Sequence, residues 1–212
     1  MIASLSDLKV APQDVERYLL MRRQHINPVL AEQPGFRGST LLRARQQPDP
    51  SEVAFALFNC WADDKSAQAW AVAPRHDEVS QYVIPLVRSI TGKRYQRVEE
   101  ASVTATDERS ARVARVSIQQ VKADRIQDYL DYRQTVIHPS MAKAPGFVAA
   151  WVLRDITDRA RFAIYQRWAS DETSEAYFHL PFHLGEITDR VKELIESPLA
   201  TNRYDVLPVE PA

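Results

Sequence analysis

The chain has 212 residues, 45% apolar and 26% charged, the make-up of an ordinary globular protein. Its formal net charge is −1 at pH 7 and no Lys/Arg cluster occurs, so the sequence presents no field for nucleic acid. The apolar runs are too short to span a bilayer, and the N-terminus has no charged segment leading into an apolar one, so neither membrane nor secretion is implied.

From the N-terminus, Ile2 to Val10 reads as a strand. Pro12 to Ala31 reads as a helix: Pro12 suits a first turn, and Val15, Tyr18, Leu19, Arg22, Ile26 and Leu30 form a stripe at helical spacing. Pro34-Gly35-Phe36 ends it, because proline cannot continue a helix and glycine tolerates the positive φ of a sharp exit. Phe36 to Arg43 and Val53 to Trp61 read as strands around a turn-rich run at 45–52, RQQPDPSE. The single cysteine, Cys60, reads as a small strand-packing residue rather than a nucleophile, excludes an internal disulfide, and fits a reducing, cytoplasmic compartment. Asp63 or Asp64 can cap a second helical region, interrupted at Pro74 and expected to run to about Ile90. A strand follows at about Lys93 to Val98, and the polar, small-residue stretch Glu99 to Ser110 reads as a linker.

The same order then recurs: strand 111–121, helix 123–143, strands 147–154 and 160–168, helix 171–196 broken at Pro181, and strand 202–207. The repetition is in the residues too. IHPSMAKAPGF at 137–147 shares six of eleven positions with INPVLAEQPGF at 26–36. At the same offset of 111, VKADRIQDYL at 121–130 answers VAPQDVERYL at 10–19. FAIYQRWASDETSEAYFHLPFH at 162–183 answers FALFNCWADDKSAQAWAVAPRH at 55–76 at an offset of 107. The chain therefore reads as two repeats, 1–98 and 111–207, joined by 99–110.

Strand-helix-strand-strand-helix-strand is the ferredoxin-like unit, an α+β fold whose helices cover one face of an antiparallel sheet. Strand 53–61 is apolar on both faces, with Val53, Phe55, Leu57, Asn59 and Trp61 on one and Ala54, Ala56, Phe58 and Cys60 on the other. Its second face therefore needs cover. The two antiparallel sheets are expected to pack into one intramolecular, pseudo-dimeric α+β barrel. Such a chain is a monomer, or a homodimer through helices or strand edges.

The Pro-Gly-Phe exit, the strand ending in Trp with an acid soon after, and the later Pro-x-His resemble the antibiotic biosynthesis monooxygenase family of dimeric α+β barrels, over both repeats. The resemblance implies a small-molecule monooxygenase, and its members include cofactor-free and heme-degrading enzymes. Cofactor-free members that oxidise polycyclic phenols share the strand-end Trp, here Trp61 and Trp168. They place an Asn four residues before it, where this chain has Leu57 and Ile164, with amides two residues later at Asn59 and Gln166. They place a Tyr six residues after it, where Ala67 and Ser174 stand. Heme-degrading members carry a Trp nine residues on, matched by Trp70 and by the aromatic Tyr177. Their ligand His falls at Ser80 and Ile187, which argues against heme.

Candidate chemistry lies in the helices. Arg22 and Arg133 stand at equivalent positions in the apolar stripe, either as anchors for an anionic or phenolate oxygen or as snorkelling cations. His76 and His183 share the Pro-x-His position as candidate bases or surface residues. His138 stands where the first repeat has Asn27. The second repeat is favoured because it adds His138, Tyr177 and His179 to His183, against His25 and His76 in the first. Arg133 is expected to stabilise substrate oxygen and His183 or His138 to take the proton. Trp168, Tyr177, His179 and Trp151 are expected to bind substrate, with the aromatics forming its wall. No His or Cys stands at metal-ligand spacing and no phosphate loop occurs, so no cofactor is expected. The reading is a cofactor-independent monooxygenase for a small aromatic or quinol-like molecule. The alternatives are a non-catalytic or stress-response barrel holding a hydrophobic ligand and, behind it, a heme-degrading protein.

Overall fold

The computed structural model describes residues 1–102, 110–198 and 200–207. The fold class is α+β, and the hydrogen-bonded strand order β1-β3-β2-β8-β5-β7-β6-β4 closes as an antiparallel barrel. Two compact units result, one built on Met1–Arg94 and the other on Tyr95–Val206. No helix among the described residues is long and apolar enough to cross a membrane.

In the first unit, β1 (Ile2–Val10), β2 (Phe36–Ala44) and β3 (Val53–Trp61) form an antiparallel sheet with β3 central, Phe58 standing opposite both Leu5 and Thr40. The first helical stretch comprises α1 (Val15–Met21), a π-helical turn (Arg22–Ile26) and α2 (Asn27–Ala31). The side chain of Asp63 caps α3 (Asp64–Ala71) by accepting from Ser66 N, and Pro74 opens α4 (Pro74–Ser80). Both faces of β3 are buried, with Phe55, Leu57 and Trp61 on one and Ala56, Phe58 and Cys60 on the other. The apolar pattern required this.

The region after Pro74 departs from expectation. The helix stops at Ser80 instead of continuing to Ile90, and β4 runs over Val87–Ser102 instead of 93–98. After Ser80 the chain passes through turns and a short 3-10 segment, Ile84–Leu86, whose Pro85 supplies no N–H, and the β-branched Val87, Ile90 and Thr91 favour extension. At its far end, Glu99 to Ser102 are strand rather than linker, and Tyr95 to Ser102 pair with the second unit's β6. The rest of the expected linker, 103–109, lies outside the described residues.

The second unit contains β5 (Val113–Gln120), α5 (Ile126–Tyr132), a π turn (Arg133–Ile137), α6 (His138–Ala142), β6 (Phe147–Asp155) and β7 (Arg161–Trp168). These are followed by α7 (Asp171–Phe178), a π turn (His183–Ile187), α8 (Thr188–Leu194) and β8 (Asn202–Leu207). Its antiparallel order is β8-β5-β7-β6 with the C-terminal half of β4 beside β6. Tyr129, Met141, Phe162, Ile164, Trp168 and Leu194 lead the core between sheet and helices. Trp61 and Trp168 are 1% and 0% exposed, as strand-end residues of the two repeats should be.

The repeated Pro-Gly-Phe exit has one geometry twice. Gly35 and Gly146 have φ of +80° and +76°. Their carbonyls accept from Ala62 N and Ala169 N at 2.7 and 2.8 Å, tying each exit to the end of the later strand. A Cβ at Gly146 would lie 2.4 Å from Thr173 Oγ1, and one at Gly35 2.4 Å from Ser66 Oγ. Both side chains belong to the first turn of the next helix. Gly146→Ala is therefore expected to cost more than the roughly 1 kcal/mol of left-handed strain alone. A thermal melt should fall by about 4 °C or more; an unchanged melting temperature would contradict the contact.

Candidate functional site

The π turn Arg133–Ile137 decides where the candidate side chains point. It opens on Arg133 and closes with the His138 N–H donating to Arg133 O. Arg133 lies in the apolar row that runs on from α5 and is buried with it, and π turns recur at functional positions. Arg133 is 3% exposed, its Nε has no hydrogen-bond partner, and its guanidinium lies 5.3 Å from the Tyr129 ring. It forms no ion pair among the described residues, so its charge is left to the space it faces.

That space is a cavity of about 220 Å³ between the helix-covered face of the second sheet and the helices. Ser117 and Gln119 of β5, Gln166 of β7, Arg133 and His183 supply its polar lining; Ile137, Met141, Phe178 and Ile187 lead the apolar part. The strand pleat accounts for the first three, since residues two apart along a strand share a face. Tyr129 OH donates to Gln119 Oε1, holding that amide in place. Three buried polar atoms of the lining have no partner: Arg133 Nε, Gln166 Oε1 and His183 Nδ1. Each such atom costs about 1–3 kcal/mol if left bare. Converging on one cavity, they form a donor and acceptor set suited to an oxygen-bearing ligand. A cavity of ~150 Å³ accepts benzene, so this one suits a ring with substituents.

Burial, then the Arg115 and Arg133 charges, hold His183 down to about 4, so its imidazole is neutral at pH 7. Burial and then Arg133 do the same to His138, also to about 4. His138 Nδ1 lies 3.6 Å from Glu99 Oε2. Because desolvation outweighs that carboxylate, we read the contact as a carboxylate against a neutral imidazole, not an ion pair. Burial raises Glu99, partly offset by Arg133. Arg115 sits 4.1 Å over the Phe178 ring and pairs with Glu175, which also takes Arg203 at 2.7 Å.

The structure brings together two of the residues singled out from the sequence, Arg133 and His183, as lining of one cavity. His138 is buried but does not line it. Tyr177 stands a layer behind, its ring 5.1 Å from His183 and its hydroxyl 2.7 Å from Ser140 Oγ. Trp168 packs 5.3 Å from both Phe147 and Tyr177 in the core. Trp151 and His179 are not brought to the cavity. Trp151 is on the opposite face of β6, against Tyr165 and Arg97, because the strand pleat alternates. His179 is a helix-end surface residue, 70% exposed in its side chain, with Nδ1 2.8 Å from Glu175 O. Gln119 and Glu99 were not among the candidates, and Gln166 was noted only as the amide standing near the family's Asn position. The alternation of β5 and β7 could have placed the two amides, whereas Glu99 lay in the supposed linker.

In the first unit Arg22 is also buried, but its Nη2 donates to Asn27 Oδ1 at 3.3 Å and Ser39 Oγ at 3.4 Å. His76 lies on α4 against Trp70, near Asp77 and Ser80, as a surface residue.

Residues 112–184 match the antibiotic biosynthesis monooxygenase family, the one its motifs resemble. No curated protein matches the sequence. Among solved structures, a candidate monooxygenase of Fusobacterium nucleatum is similar over 98% of this chain and 92% of its own, with 10% identity and a TM-score of 0.76. An anthrone oxidase-like protein is similar over 98% and 91%, with 16% identity and a TM-score of 0.69. A heme-degrading enzyme of Listeria monocytogenes is similar over 95% and 98%, with 11% identity and a TM-score of 0.52. At these identities the likeness is one of fold. The chain thus shares an α+β fold with these proteins along its whole length, and the family model matches a stretch of its second repeat.

The two depressed histidines set a pH dependence. A His held near 4 in the fold and 6.5 when unfolded contributes stability that is full above 6.5 and lost as pH falls toward 4. Glu99, raised by burial, acts with the opposite sign, so the comparison must be between variants. The melting temperature should fall between pH 6.5 and 4, and His183→Gln should remove roughly 4–8 °C of that fall. Equal slopes in both proteins would show that His183 is not held neutral by its surroundings.

Proposed function

We propose that the second unit is a cofactor-independent monooxygenase site for a small phenolic or quinol-like compound. The observation that carries this reading is the buried Arg133 guanidinium, without an ion pair, facing a small cavity with an amide and a neutral imidazole. Arg133 stabilises the substrate as its oxyanion, the form able to give an electron to oxygen. Gln166 Oε1 accepts from a second hydroxyl. His183, the histidine that lines the cavity, takes the proton. Its low proton affinity in the empty site is due partly to Arg115 and Arg133, and an anionic ligand offsets that effect. Deprotonation and anion binding by Arg133 therefore support each other.

The step balances without a reductant. An activated CH₂ or ring CH₂ tautomer loses a proton and bonds to one atom of O₂. The proton taken by His183 returns to the distal oxygen of the resulting peroxide, which leaves as water with the second hydrogen as the O–O bond breaks, and the carbon becomes a carbonyl. The apolar walls keep bulk water from the carbanion. The small cavity favours one substituted ring over a tricyclic compound. It is also small for a porphyrin, and the family's heme-ligand position is Ile187, itself part of the wall.

The second reading is a barrel that binds such a molecule without turning it over. Its supporting observation is the departure from the family pattern at Ile164 and Ser174. Exposed Leu180, Phe182 and Leu184 beside His183 suit an apolar ligand under either reading. Oxygen uptake with a panel of anthrones and one-ring and two-ring quinols separates the two. Turnover is expected with the smaller members. Arg133→Gln should lower it by about 10²–10³, the scale of losing one oxyanion donor, and His183→Ala by at least tenfold. Binding without oxygen uptake across the panel would establish the second reading; full activity in Arg133→Gln would remove this site from the chemistry.

A further inference from the structure

The cavity of the second unit is closed at one end and open at the other. Of its lining, Gln119, Arg133, Met141 and Gln166 are buried, whereas Phe178 and His183 are half-buried and Thr201 is exposed. The way in from solvent is therefore on the side of Phe178, and Phe178 is the large apolar side chain at that end. Its ring meets the His183 ring edge to face, at 4.5 Å and 77°.

Arg115 holds that ring. It stands on β5 on the same face as Ser117 and Gln119, and its guanidinium lies 4.1 Å from the centre of the Phe178 ring. Its Nε donates to Ser174 Oγ at 2.6 Å and its Nη2 to Glu175. Ser174 and Phe178 are four residues apart on α7 and share a face, so one guanidinium grips both ends of a helical turn. Glu175 has a second task. Arg203 of β8 stands directly opposite Arg115, and like charges so placed repel. Glu175 Oε1 accepts from both arginines. Arg115 therefore cannot swing off the ring without giving up charge-assisted hydrogen bonds. In the first repeat Ser4, Ala67, Gln68 and Ala71 occupy the positions of Arg115, Ser174, Glu175 and Phe178. The clamp is peculiar to the repeat whose cavity it borders.

We propose that Phe178 is the specificity-determining residue of the second unit's site, setting the width of ring that the cavity admits, and that Arg115 is a positioning residue acting through it. This role presumes the phenolic ligand of the proposed function and adds what limits its size. A cavity of ~150 Å³ accepts benzene, so one of about 220 Å³ leaves room for substituents and little more. A second fused ring needs the space that the Phe178 side chain fills. Displacing that side chain means breaking its contacts with both Arg115 and His183. A fixed wall discriminates by size where a mobile one would repack.

The test compares binding of 4-nitrophenolate, with one ring, and 4-nitro-1-naphtholate, with two fused rings, to the full chain. Both are followed by absorbance at a pH where they are ionised. The wild type should bind the one-ring probe tighter by about tenfold, the scale of a small misfit in an apolar pocket. Phe178→Ala should abolish or reverse that preference, and Arg115→Met should shift it the same way. Adding Arg115→Met to Phe178→Ala should change the ratio no further, because Arg115 acts through the ring. An unchanged ratio in Phe178→Ala overturns the proposal, as does a ratio that Arg115→Met leaves alone or that the double variant shifts additively. Phe178 is half-buried, so its truncation decides alone if Arg115→Met does not fold. Equal affinity of the wild type for both probes, or binding of neither probe by any variant, overturns it as well. Arg133→Gln should weaken both probes together. Unchanged affinities in that variant would remove the oxyanion reading while leaving the size preference standing, and no measurement in the set depends on oxygen uptake.

Discussion

A guanidinium that is 3% exposed and has no ion pair constrains everything around it. Removing such a charge from water is expensive, and arginine cannot relieve the cost by losing its proton. Around Arg133 the relief is partial and of several kinds. The Tyr129 ring offers a weak cation–π contact, and Glu99 offers a carboxylate at longer range. The remaining cost falls on the neighbours, since both nearby histidines are held neutral. An anion in the cavity would meet the same cation and pay no further cost to organise it. Electrostatic preorganisation has this form: the charge is placed and desolvated before the ligand arrives.

The first repeat shows the same cation held by side chains. Arg22 opens an equivalent π turn, yet Asn27 and Ser39 hold it. Replacing Asn27 by His138 removes a ready acceptor. At the strand positions facing the helices, Leu8 corresponds to Gln119 and Asn59 to Gln166. In the first repeat leucine thus takes the place of one amide and Asn27 holds the arginine, while the second repeat has Gln119 and His138 at those positions. One repeat can hold the fold while the other carries polar groups that a purely structural core would not tolerate.

The fold was legible because its determinants are local and repeated. The Pro-Gly-Phe exits, the arginine in the apolar stripe and the doubly apolar strands each follow from side-chain spacing, and each occurs twice. Three features were not legible, for three reasons. A π turn inserts one residue into a helical ladder and leaves no compositional trace, so the inward turn of Arg133 could be named as an option but not fixed. The extent of β4 depends on the helix ending at Ser80 and on the β-branched run from Val87, where the apolar pattern alone would have continued the helix. Trp151 and His179 were grouped with the site by residue type; strand alternation and a helix end then placed them elsewhere. Arg133 and His183, by contrast, share one cavity because both occur at the openings of π turns on helices above the same sheet.

Strand β4 is where the sequence repeat and the structural unit part company. Counted by sequence, the second repeat starts at 111; counted by contacts, its unit starts at Tyr95. The difference includes Tyr95 to Ser102, whose backbone satisfies the outer edge of β6. An uncovered edge there would present a row of unpaired N–H and C=O groups next to a strand buried on both faces. The same segment carries Glu99 and, through a bulge at Val98, its inward direction. A fragment cut at the repeat boundary would keep the whole family-matched stretch 112–184 with Arg133, His138, Gln166 and His183. It would lose the carboxylate that faces His138. Part of the charged surroundings of the second unit is therefore encoded before its own repeat begins.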